Sequence, residues 1–220
     1  TVRPGGSGTG QVPEGVLSEG TSTEVIASAL AELTAEPLPG LPPLTGGLVG
    51  ALGWDTLYDW EPTLSREAPG ELTTPDAALC LVSDMVAVDH HEGVVWLMSN
   101  AVNADNRDAG AEAAYDAAVE RLSAMAADLS TPVPLHAVKI GDAPTAQPVL
   151  RTPREDFERA VDEGKEAIRE GEVFQVVLSQ RADVECTADP FDVYRVLRTV
   201  NPSPYMYYLR LADGTGGDFS

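Results

Sequence analysis

Between Thr152 and Ser179 the chain carries a helix marked at both ends, with a strand attached to it without a linker. Thr152 stands as an N-cap, Pro153 takes the first helical position, and Glu155 completes a T-x-x-E capping box. Phe157, Ala160, Val161, Gly164, Ala167 and Ile168 recur at helical spacing and form one apolar face. Gly171 occupies the usual C-terminal stop. Val173-Phe174-Gln175-Val176-Val177-Leu178-Ser179 follows at once and reads as a strand. The chain therefore mixes helix and strand.

The second constraint lies further on. Asp189-Pro190 opens a helix that carries Phe191, Tyr194 and Leu197 inward and stops at Asn201-Pro202. Pro202 and Pro204 push Asn201 and Ser203 into extended conformations and remove two backbone donors. Tyr205 to about Leu211 then reads as a final strand, running out into the turn-forming residues Asp213 to Asp218. With only Phe219 and Ser220 after that turn, no second strand is expected. A proline elbow opening into an aromatic strand suits either a helix stop before a core strand or a backbone edge held against a small ligand.

Upstream, residues 1–20 are rich in Gly, Ser, Pro and Thr and read as loop. Ser22-Thr23-Glu24 opens a helix running to about Leu33, and Pro37 to Pro43 is a proline-rich connector. Gly46 to Trp54 reads as a strand whose glycines indicate close backbone approach or a bulge; it lacks the residues of a phosphate loop. Residues 55–76 read as a polar surface excursion. Leu79–Val88 and Val94–Ser99 flank the turn Asp89-His90-His91-Glu92-Gly93 as a hairpin. From about Asn106 to Leu129 an Ala-rich helix presents Tyr115, Ala118, Val119, Leu122, Met125 and Leu129 as an apolar stripe. Residues 130–150, with four prolines, read as a linker.

Charge narrows the partners. A formal net charge of -21, with Lys139 and Lys165 the only lysines, argues against nucleic acid and anionic membrane. No apolar run reaches membrane-spanning length, and Cys80 and Cys186 lack metal-type spacing. They fit free thiols, so a cytoplasmic setting is expected. The paired histidines of the turn read as a solvated loop. No Ser-His-Asp or Cys-His arrangement stands out, and no two carboxylates pair for acid-base work. One polar residue, Gln175, interrupts an apolar strand. It either faces solvent or serves as a hydrogen-bonding group that cannot act as a base near neutral pH.

Gly171 to Arg181, Asp189 to Arg198 and Asn201 to Met206 together resemble, in order and spacing, the large subunit of anthranilate synthase (component I). Gly46-Gly47-Leu48-Val49-Gly50 with Leu52-Gly53 and Asp55 extends the resemblance, although Ala51 and Trp54 stand where that family often has tyrosines. The resemblance covers roughly residues 22–211. It implies an α+β fold with helices packed outside large antiparallel sheets, incomplete here. Residues 1–150 would be part of the N-terminal region, and 151–220 the start of the chorismate-binding domain.

The family converts chorismate and ammonia to anthranilate and pyruvate on the way to tryptophan, with ammonia from a glutamine amidotransferase subunit. The resemblance implies Mg2+ as cofactor, with ligands not in this chain, and L-tryptophan as feedback inhibitor. It places Pro204, Tyr205 and Met206 in the inhibitor pocket. It sets Gln175 as a catalytic candidate, at the position where water-adding relatives carry a lysine base. The Leu-Leu-Glu-Ser segment that forms the other pocket wall is not found. The expectation is an internal or truncated piece, inactive by itself. Two alternatives stand beside it. One is aminodeoxychorismate synthase component I, which usually has Gln-Val-Asn-Leu where this chain has Gln175-Val176-Val177-Leu178. The other is a tryptophan-binding sensor without catalysis.

Overall fold

The computed structural model describes residues 12–65, 74–138, 141, 147–212 and 218–220. Most of the Gly-rich start, Lys139, residues 66–73 and turn residues 213–217 lie outside them. Two compact units result: Thr1–Pro134 with Tyr207–Ser220, and Leu135–Met206.

In the first unit, helix α1 (Ser22–Leu33) begins one residue after Thr21, which builds a reciprocal capping box with Glu24. The Glu24 N–H donates to the Thr21 hydroxyl at 3.3 Å, and the Thr21 N–H donates to the Glu24 carboxylate at 2.9 Å. Strand β1 (Gly47–Leu52) follows the proline-rich connector. A short 3-10 turn, Trp54–Thr56, and helix α2 (Leu57–Trp60) occupy the start of the region expected to be plain excursion. They tie down α1, because the Ser22 N–H donates to the Asp59 carboxylate at 3.0 Å.

Strand β2 (Ala77–Val82) pairs antiparallel with β1, from Gly47 opposite Val82 to Leu52 opposite Ala77. The close approach expected of the glycines is present at Gly50. A Cβ there would lie 2.0 Å from the Ala78 carbonyl oxygen and 2.8 Å from the Leu79 Cα.

Strand β3 (Asp84–Asp89) pairs with β4 (Val94–Ser99) around the expected turn. The Asp89 carboxylate accepts from the His91 N–H at 2.8 Å and the Glu92 N–H at 3.0 Å, and both histidines are exposed. The single strand expected over Leu79–Val88 is instead two strands that break at Ser83 and pair with different partners. A uniform apolar run gives no sign of where the backbone changes partner.

Helix α3 (Asp108–Ser130) packs on β4, burying Ala118 and Met98. Of its expected stripe, Leu122 and Met125 are half-buried, while Tyr115, Val119 and Leu129 are exposed. The chain returns to this unit as β7 (Leu211–Ala212), where Leu211 is buried, beside β2. A second short strand, β8 (Asp218–Phe219), pairs with it, so the turn does have a strand after it. The strand expected from Tyr205 to Leu211 is confined to Leu211–Ala212; residues 205–210 are not in strand.

In the second unit, β5 (Val149–Leu150) pairs with β6 (Ala182–Asp183) across helix α4 (Arg154–Glu170). The N-cap of α4 is Pro153, with ψ 147°, and no side chain caps it. The box expected from Thr152 and Glu155 is one residue out of phase with the helix start. The apolar face is as expected for Phe157, Ala160, Val161, Gly164 and Ala167, all half-buried, while Ile168 is exposed. Its opposite face carries ion pairs one turn apart, among them Arg154–Glu158 at 2.7 Å and Lys165–Asp162 at 3.1 Å.

Gly171 ends α4 at φ 81°, a left-handed conformation that lets the Glu172 N–H reach back to the Ala167 carbonyl at 3.0 Å. Helix α5 (Pro190–Val200) is capped by Asp189, whose carboxylate accepts from Phe191 N–H at 2.8 Å and Asp192 N–H at 3.4 Å. Phe191 and Leu197, expected inward, are exposed, and Phe191 stacks on Tyr194 with ring centres 6.2 Å apart. Every buried residue described lies in the first unit.

Candidate functional site

Gln175 lies in the segment between α4 and β6. The strand expected over Val173–Ser179 is not formed: the backbone is irregular and the side chains are exposed. A strand needs a neighbour to take its hydrogen bonds, and no described strand lies alongside this one. One contact anchors it. Gly164 on α4 has no side chain, and a Cβ there would come within 2.9 Å of Val176 Cγ1, so Val176 sits directly on the helix. Phe174 is fully exposed and Val177 is 80% exposed.

The elbow is better formed. Asn201 closes α5 by donating its N–H to the Leu197 carbonyl at 2.8 Å. The two prolines then turn the chain away from helix, as their ring geometry requires. Pro204 is exposed, Tyr205 is 91% exposed and Met206 is half-buried. Gln175, Pro204, Tyr205 and Met206 belong to the same unit, but neither of two described pockets contains any of them. One is an open groove of about 530 Å³ in the first unit, lined by Pro42, Pro43, Val88, His90, Val94 and Trp96 among others. The other, of about 250 Å³, is lined by Glu14, Gly15, Glu32, Asp105, Asn106 and Arg107.

Three polar clusters were not legible from residue type alone. In the first unit, Arg121 of α3 reaches the Asp84 carboxylate, with Nε 3.0 Å from each oxygen, and donates to the Asn100 carbonyl at 2.9 Å. Ser99 and Ser83 also donate to Asp84, at 2.5 and 3.1 Å. Burial of Asp84 pushes its pKa up, but the bonds from Ser99, Arg121 and Ser83 and the charge of Arg121 outweigh it and hold the carboxyl below its ordinary range. Asn100 extends the cluster, donating its side-chain amide to the carbonyls of Thr45 at 2.8 Å and Ser83 at 3.1 Å.

In the second unit, Arg181 and Arg151 both donate to Asp183, at 2.7 and 2.6 Å, and these bonds lower its pKa. Asp192 is lowered by its hydrogen bond with His136 at 3.1 Å and by Arg195 at 3.0 Å, while Arg195 also holds the His136 carbonyl at 2.8 Å. The i, i+3 spacing of Asp192 and Arg195 was readable on a helix; the long-range partners were not. All three are ion-pair clusters that fasten elements together.

Among the described residues, no three His, Cys, Asp or Glu side chains come together as a metal site. Cys80 and Cys186 are free and exposed, and no described helix is long and apolar enough to cross a membrane.

Neither of the two described pockets thus takes in the quoted motifs, and comparison with known proteins supplies the context. Anthranilate synthase component 1 of Arthrobacter globiformis is 43% identical over 216 residues, which is 96% of this chain and 40% of that protein. The protein of the same name from Mycolicibacterium smegmatis is 42% identical over 212 residues, with the same coverage. The crystal structure of anthranilate synthase component I from Streptococcus pneumoniae superposes with a TM-score of 0.63 at 27% identity, over 79% of this chain and 38% of that one. The mixed helix and strand fold is shared with that structure, and the chain spans about 40% of the length of the curated relatives. Residues 7–216 match the family described as chorismate binding enzyme, and the chain belongs to that family.

Proposed function

We propose that this chain is part of an anthranilate synthase large subunit, which converts chorismate and ammonia to anthranilate and pyruvate. The observation that carries this reading is the similarity along 96% of the chain to proteins named anthranilate synthase component 1. In this reading residues 1–150 belong to the N-terminal region and 151–220 begin the chorismate-binding domain. Ammonia comes from a glutamine amidotransferase subunit, and magnesium is bound by residues other than those described here. The chain alone does not turn over chorismate.

Two roles follow for residues within it. Gln175 takes a place near the reacting centre as a neutral hydrogen-bonding group. An amide can donate to and accept from substrate without activating water as a base, which suits chemistry that uses ammonia. Pro204, Tyr205 and Met206 form one wall of a tryptophan pocket. The elbow supports this by presenting a rigid backbone with an exposed aromatic and a thioether beside it.

The test is a chimaera in which this chain replaces the matching portion of the Arthrobacter globiformis protein, given chorismate, ammonium and magnesium. Product analysis should find anthranilate; accumulation of aminodeoxychorismate would move the chain to the folate branch. In the same chimaera, Met206→Ala should weaken tryptophan inhibition and leave uninhibited turnover near its starting value. Unchanged inhibition would remove the elbow from the pocket.

A further inference from the structure

We draw no further inference here: the strongest candidate, the open groove between the proline-rich connector and the β3–β4 hairpin lined by Leu41, Pro42, Pro43, Val88, Val94 and Trp96, carries no proposal because nothing in the structure shows what covers it.

Discussion

Single residues set the tightest limits in this chain. Gly50 lies where β1 crosses the backbone of β2 too closely for any side chain. Gly50→Ala must push the strands apart or break the register, and should cost about 2 kcal/mol or more, in the range of steric core changes. A urea unfolding curve followed at β-sheet wavelengths measures this; an unchanged midpoint would show that the pair relaxes freely. Asp84 offers a second test. Its folded pKa is depressed, so its contribution to stability is present above the ordinary carboxylate value of about 4 and is lost as pH falls through the lower folded value. Asp84→Asn should flatten the stability profile in that acid window. Arg121→Ala should cost about 1 kcal/mol near neutral pH, the scale of a lost charged hydrogen bond on a half-exposed pair. A profile of the same slope in Asp84→Asn and the parent would assign the acid transition to other carboxylates.

At the scale of elements, the long helices, strand β1 and the β3–β4 hairpin were legible, while the short helix α2 and the break between β2 and β3 were not. Periodicity and caps located α3, α4 and α5, because a helix satisfies its own backbone. The β3–β4 hairpin was legible for the same reason: its partner is one turn away and Asp89 builds the turn. Val173–Ser179 and residues 205–210 have strand composition but are not in strand in the structure, and composition cannot supply a ladder. The capping box at Thr21 has the same T-x-x-E spacing that misled at Thr152. There Pro153 holds the extended N-cap position itself and shifts the helix start by one residue. Asp189 is the cap most open to test. Asp189→Ala removes the acceptor for two N–H groups of α5 and should cost about 1 kcal/mol, while Asp189→Asn restores most of it. Amide exchange at Phe191 and Asp192 reports the change directly; equal exchange in all three proteins would show that α5 does not depend on its cap.

At the scale of the whole molecule, few of the described residues are buried and many apolar ones are exposed. Such a surface associates unless charge keeps molecules apart, and here a net charge of -21 does so at low ionic strength. Added salt screens that repulsion, so the chain should bind a hydrophobic dye and shift to larger species in gel filtration as salt rises. A monodisperse monomer with a cooperative thermal transition and no dye binding at high salt would contradict this. The candidate site follows the same logic. Gln175 and the Pro204 elbow were legible as motifs, but no described pocket unites them, since the sequence can specify a wall without specifying what faces it.

The central claim, that this chain works as part of an anthranilate-forming enzyme, is tested most directly by anthranilate fluorescence with chorismate, ammonium and magnesium. The measurement compares the chain alone with its chimaera. The account predicts no signal from the chain and steady formation by the chimaera. Turnover by the isolated chain, or a folded chimaera that consumes chorismate without forming anthranilate, would contradict it.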